Sequence, residues 1–184
     1  MQLHNSKSRW GAISQSLHWI VVTLIITQFI LAEIAEDLPT GLQKLVVLSR
    51  HKSIGILILA LAVTRLVWRW ISAAPQPVRQ SRLQAMAAAA AHCALYALLL
   101  LTPLTGWLMS SARGYTVSFF SLFELPNFVA RGETLFNVFK EAHELMAQGI
   151  LWLAVLHALS ALAHHFVLKD DVMRRMLPRF RKTP

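Results

Sequence analysis

Four long apolar segments, separated by short polar stretches, dominate the hydrophobic pattern of this chain of 184 residues. They cover about residues 14–34, 48–70, 84–110 and 142–168. Each is long enough to cross a bilayer as a helix, which takes about 20 residues. The first segment is also longer than the apolar region of a signal peptide. Because the connections are short, the pattern predicts an all-α fold: a single membrane domain over residues 1–184, built as an antiparallel four-helix transmembrane bundle.

Composition agrees with a membrane protein. Hydrophobic residues make up 55% of the chain and charged residues only 15%, whereas a soluble domain has about 25% charged residues. Cys93 is the single cysteine, which excludes an internal disulfide. The net charge of +9 would suit nucleic-acid binding, but the basic residues flank the apolar segments. There they orient transmembrane helices, so we expect no nucleic-acid partner.

The distribution of basic residues predicts the orientation of the bundle. The first loop carries Glu33, Glu36 and Asp37 against Lys44 and Arg50. Basic residues instead collect in the N-terminal tail, in the connection between the second and third segments, and in the C-terminal tail: Lys7, Arg9, Arg65, Arg69, Arg79, Arg82, Lys169, Arg174, Arg175, Arg179, Arg181 and Lys182. The C-terminal tail also carries the acidic residues Asp170 and Asp171. By the positive-inside rule, both termini and that connection lie in the cytoplasm.

Histidines recur at defined depths along these segments. His143 and His157 are 14 residues apart, which on a helix is a rise of about 21 Å with both rings near one face. His51 shares the outer depth of His143, and His18 shares the inner depth of His157. Two neutral imidazoles that face each other across a bundle suit a six-coordinate haem iron. We therefore predict an outer haem at His51 and His143 and an inner haem at His18 and His157, held without covalent attachment because no C-x-x-C-H motif occurs.

Other functions of intramembrane histidines are less well supported. Such a residue can be a buried hydrogen-bonding group or part of a proton path, but proton relays usually include acidic groups, and only Glu144 comes close. A zinc ion needs clustered ligands, and His143 and His157 are too far apart to share one. A histidine-lined proton or metal transporter would show no haem absorbance. The matched depths favour the haem interpretation.

His92 and His164 lie just below the inner pair and suit a quinone. A quinone needs hydrogen-bond donors for its two carbonyl groups and a source of protons when it is reduced. Arg65 or Arg69 would give electrostatic support to the quinone or to a haem propionate. The alternative interpretation is that these two histidines anchor the helix ends at the membrane interface.

The chain resembles the bacterial cytochrome b561 family, small four-helix di-haem cytochromes of the inner membrane. The resemblance rests on "SLHW" in the first segment, "HKSIGILIL" in the second, "AHCALY" followed by Pro and Gly in the third, and "KEAHE" with "LHALSALAHHFVLKD" in the fourth. It implies two b-type haems at His18, His51, His143 and His157, and ubiquinone at the positions of His92 and His164. It also implies an oxidoreductase that converts superoxide to dioxygen on the periplasmic side and passes the electron to ubiquinone.

Superoxide is an anion, so its entry should be locally positive. Arg50, Lys52 and Arg113 lie near the outer helix ends and are candidates for steering it, although they could instead bind propionates. The alternative function is a haem b anchor subunit that passes electrons between a soluble partner, a dehydrogenase or hydrogenase, and the quinone pool. The short loops favour the self-contained enzyme.

Overall fold

The computed structural model describes residues 2–78 and 80–178. In that part of the chain the elements are α1 (Ala12–Asp37), α2 (Leu42–Ile71), α3 (Arg82–Arg113), β1 (Val117–Phe119), β2 (Phe123–Leu125), α4 (Glu133–Phe166) and α5 (Val172–Met176). Helices α1 to α4 are each long and apolar enough to cross a membrane, which confirms the predicted transmembrane helical fold. Four of the basic residues used to predict orientation lie outside the described residues: Arg79, Arg179, Arg181 and Lys182.

The helices extend beyond the apolar segments that predicted them. α2 begins at Leu42, before the predicted start at 48, and α4 begins at Glu133, well before 142. α4 also ends at Phe166, slightly short of 168. The added turns, LQKLVV in α2 and ETLFNVFKE in α4, mix polar with apolar residues, so they do not extend an uninterrupted apolar run. As a result, His51 and His143 lie more than two turns inside their helices.

Helices that are neighbours in sequence pack directly on each other. α1 lies against α2, α2 against α3, and α3 against α4. The centre of the bundle is a small cluster of Val21, Ile58, Ala62 and Leu99. Many large apolar side chains of the four helices point outward instead, as expected for surfaces that face lipid.

The bundle has two ends, which we name by what they carry. The terminal face holds residues 2–11, 72–78, 80–81 and 167–178, and the hairpin face holds residues 38–41 and 114–132. At the terminal face the Gln15 side chain donates to the Arg175 carbonyl at 3.2 Å, and Trp19 Nε1 donates to the Met176 carbonyl at 3.1 Å. These bonds join α5, which follows α4, to α1.

The hairpin face carries a short antiparallel β-hairpin, an addition to the predicted helices. Its turn places Phe120 and Ser121 at positive φ, 48° and 61°. Such turns usually contain Gly or Asn, so the sequence held no signal for this one. The hairpin docks on α2 at the buried Ser53, whose hydroxyl lies 2.8 Å from the Ser118 carbonyl and accepts the Phe120 N–H at 3.0 Å.

Candidate functional site

Four histidines form two pairs across the bundle. The hairpin-face pair is His51 of α2 and His143 of α4, with ring centroids 6.3 Å apart and ring planes at 72°. The terminal-face pair is His18 of α1 and His157 of α4, at 6.4 Å and 75°. The predicted pairs therefore face each other, and α4 supplies one imidazole to each.

The spacing of both pairs fits one metal ion between two axial imidazoles. With metal–nitrogen bonds of about 2.0 Å and each ring centre about 1.1 Å behind its nitrogen, such an ion sets the centroids about 6 Å apart. Within residues 2–78 and 80–178, no three His, Cys, Asp or Glu side chains are grouped to hold a metal ion. The pairs therefore suit axial ligation in a haem rather than a structural zinc site.

Two residues of helix α3, Thr102 and Gly106, form a socket around the His143 ring. Nδ1 of His143 lies 2.8 Å from the Thr102 carbonyl oxygen, and its N–H donates to that oxygen. This bond fixes the tautomer and leaves Nε2 free to bind a metal. A Cβ added at Gly106 would lie 2.9 Å from Cε1 of His143, so only glycine leaves room for the ring there. Sequence reasoning missed both Thr102 and Gly106.

A cavity of about 560 Å³ lies beside the hairpin-face pair. Its volume is in the range of small-molecule and cofactor sites. Most of its lining is apolar, and the polar groups include Gln28, Glu36, Lys44, Lys52, Lys140, Glu144, Trp107 and both histidines of the pair. Lysine ammonium groups at the rim of such a cavity can bind carboxylates or attract a small anion.

The three predicted steering residues are not equivalent. Lys52 lines the cavity and donates to Ser110 Oγ at 2.8 Å. Arg50 is exposed on α2, and Arg113 is exposed and lies over the Phe136 ring at 4.0 Å. Neither is among the residues that line the cavity. A steering role remains a prediction, with Lys52 best placed.

Two lysines that sequence reasoning missed, Lys44 and Lys140, also line the cavity. Each comes just before an apolar segment, at 48 and at 142, and was therefore assigned to a loop. The longer helices carry both of them to the cavity. Lys140 is paired with Glu144 at 3.6 Å.

Near the terminal-face pair, His92 of α3 lies beside His157, with ring centroids 5.4 Å apart. Arg65 lies over the Tyr96 ring at 5.6 Å. It is also near enough to His18, His157 and His92 to interact with them electrostatically. The charge of Arg69 also acts on His92. Three of the predicted quinone residues are thus close to this pair.

His164 has a different partner. Its Nδ1 lies 2.5 Å from the carboxylate of Asp170, a residue that sequence reasoning treated only as a charge in the tail. The spacing of His164 and Asp170, six residues apart across a helix end, carries no recognised motif. The contact between His164 and Asp170 depends on the turn at the end of α4, which only the structure shows.

A transmembrane helical bundle with two imidazole pairs between its helices is the arrangement expected of a membrane cytochrome of the b type. The sequence model for prokaryotic cytochrome b561 matches residues 9–179. The chain therefore belongs to the prokaryotic cytochrome b561 family, and the predicted family is confirmed. It is a multi-pass membrane protein that binds b-type haem and acts in electron transfer.

Three relatives match most of the chain. It is 35% identical to cytochrome b561 homolog 2 of Escherichia coli (strain K12), over 96% of this chain and 95% of that protein. It is 30% identical to the probable superoxide oxidase CybB of Yersinia pestis, over 94% and 98%. It is 28% identical to cytochrome b562 of Cereibacter sphaeroides, over 88% and 90%.

Proposed function

We propose that the chain holds two haems b, one at each histidine pair, and transfers electrons from superoxide on the periplasmic side to ubiquinone on the cytoplasmic side of the inner membrane. The observation that carries this proposal is the spacing of the two pairs, 6.3 and 6.4 Å between ring centroids. A single pair would give a redox centre at one depth. Two pairs at different depths suit a path across the bilayer.

The protein's part in this function is to hold and separate the two sites. A bound haem supplies reversible one-electron chemistry. His143 and His157 are separated by about 21 Å along α4, which is about two-thirds of the hydrocarbon core. The Thr102 carbonyl orients His143. Hydrogen bonds from α1, which carries His18, to α5 join α1 to the segment that follows α4.

At the hairpin face, the positive charge of Lys52 supports superoxide as the donor. Lys52 bonds to a hydroxyl rather than to a carboxylate, so its charge is available to an anion in the cavity. Each superoxide gives up one electron and leaves as dioxygen, and no bond to the protein forms. The Yersinia pestis relative carries the name of probable superoxide oxidase, which also supports this donor.

At the terminal face, His92 and Arg65 beside the His18–His157 pair support a quinone. His164 is about 10 Å further along α4 towards that face, where protons can enter from water. Ubiquinone takes up two electrons and two protons to form the quinol. The basic residues around this face support its cytoplasmic location.

The test is an absorbance spectrum of the purified, air-oxidised protein while superoxide is generated in the cuvette, with and without superoxide dismutase. We expect a reduced b-type band that dismutase suppresses and that added ubiquinone-1 reverses. A protein that dithionite reduces but superoxide does not would contradict the donor and favour an anchor subunit for a dehydrogenase or hydrogenase. A haem content of one per chain would contradict the two-site arrangement.

A further inference from the structure

The chain turns back at the end of α4 and brings a carboxylate to His164. The Val167 N–H donates to the Ala163 carbonyl at 2.9 Å and ends the helix. Lys169 then takes a left-handed conformation with φ 54°, and the Asp170 N–H donates to the His164 carbonyl at 3.1 Å. This turn sets the Asp170 carboxylate 2.5 Å from His164 Nδ1.

Asp170 is itself held in place. Its second carboxylate oxygen accepts the Val172 N–H at 3.0 Å. Burial alone raises the pKa of the Asp170 carboxyl, but the hydrogen bonds from His164 and Val172 and the electrostatic interactions with His164 and Arg175 outweigh it and lower that pKa. The carboxyl is therefore ionised at neutral pH, and Nδ1–H of His164 is the donor in the pair.

We propose that Asp170 is a positioning residue for quinone reduction, which holds His164 by Nδ1–H so that Nε2–H can deliver a proton to the reduced quinone. This inference rests on the proposed function at the terminal face. A carboxylate bonded to one nitrogen of an imidazole stabilises the doubly protonated ring and fixes its orientation. The pair is partly open to water, with side chains 18% exposed for His164 and 25% for Asp170.

The proton balance is simple. Electron transfer supplies the two electrons, the Nε2–H bond breaks as an O–H bond forms on one quinone oxygen, and the bonding electron pair stays on Nε2. The neutral ring remains bonded to Asp170 and regains a proton from water at the terminal face. The second quinone oxygen takes its proton directly from water.

Arg175 of α5 is a charged neighbour of the His164–Asp170 pair, and its positive charge helps to lower the pKa of the Asp170 carboxyl. The Arg175 guanidinium also donates to the Gln76 carbonyl at 2.7 Å.

The experiment mixes dithionite-reduced holoprotein with ubiquinone-1 in a stopped-flow instrument and follows reoxidation of the b band from about pH 6 to pH 9. Asp170→Asn should lower the maximal rate at the alkaline end by about tenfold or more, because general acid catalysis is lost there. The loss should shrink as the pH falls, since protons then become abundant. Binding of ubiquinone-1 to the oxidised variant, measured by calorimetry, should match the parent protein.

Three further variants separate this role from a structural one. Asp171→Asn is the matched control, because the side chain of Asp171 makes no capping hydrogen bond to α5, and it should keep the parent rate. Asp170→Glu keeps a carboxylate and should recover part of the rate. His164→Ala should be as slow as Asp170→Asn, and combining the two changes should add no further loss.

Two results would overturn the proposal while leaving the quinone site intact. One is a parent-like rate of Asp170→Asn at every pH, and the other is losses that multiply in the combined variant. An equal loss at every pH, or weaker ubiquinone-1 binding in Asp170→Asn, would also overturn it by showing a structural role. If reduced parent protein is not reoxidised by ubiquinone-1 at all, the proposed function fails and this inference fails with it.

Discussion

Replacing Gly106 with alanine perturbs the hairpin-face histidine pair without removing either ligand. The new Cβ would lie 2.9 Å from Cε1 and 3.1 Å from Nδ1 of His143. Ordinary carbon contacts need about 3.5 Å, so the ring has to retreat by about half an ångström. That movement strains its 2.8 Å bond to the Thr102 carbonyl and alters the 6.3 Å spacing to His51.

The expected loss is large for one added methyl group. Functional side chains must be held to within about 0.5 Å, and disturbing the groups that orient a metal ligand costs about 10–100-fold in metal affinity. We expect Gly106→Ala to lose most of the haem at the hairpin-face pair and to keep the haem at the terminal-face pair. Haem per chain, measured as the pyridine haemochromogen, and a redox titration of the remaining band report this directly.

Gly149→Ala is the matched control, on the helix that carries both His143 and His157. A Cβ at Gly149 would meet Leu98 Cδ1 at 3.3 Å, the end of a flexible side chain that can rotate away. This variant should keep both haems. If Gly106→Ala retains parent haem content and potentials, the socket does not position His143 and the reasoning from its geometry is wrong.

Three other substitutions test separate parts of the structure. His143→Ala should lose only the hairpin-face haem and His18→Ala only the terminal-face haem; retention of both in either variant would contradict the pairing. Lys52→Gln should slow reduction by superoxide about tenfold at low ionic strength, whereas Arg50→Gln, away from the cavity, should not; equal rates in the two variants would rule out local steering. Ser53→Ala leaves two backbone groups of the hairpin without their side-chain partner and should lower the free energy of unfolding by about 1–3 kcal/mol, seen as a lower melting temperature in detergent; an unchanged melting temperature would mean that Ser53 does not anchor the hairpin.

The apolar periodicity was sufficient to find the four spans and the depth of each histidine, because both follow from helix geometry alone. The pairing of His51 with His143 and of His18 with His157 needed only the alternation of helix direction in addition. What the periodicity did not contain was the position of helix ends. It therefore assigned Lys44 and Lys140 to loops, although the structure places both at the cavity.

Features that depend on contacts between distant segments could not be predicted from the sequence. Gly106 was not predicted to belong to the site, since nothing in the local sequence shows that His143 of another helix packs on it. Asp170 was used only as a charge in the orientation argument. The left-handed turn at Lys169 brings it back to His164, and that turn contains no glycine that would have indicated it in the sequence. In both cases the functional constraint lies between elements rather than within one.

The sharing of α4 between the two histidine pairs has a consequence for biosynthesis. Neither pair can exist until the last transmembrane helix has left the ribosome and entered the membrane, since α1 and α2 each contribute a single histidine. Haem bound at these pairs as proposed would therefore be inserted only after synthesis of most of the chain. Nascent chains arrested before residue 143 should carry no stably bound haem, whatever the supply in the cell.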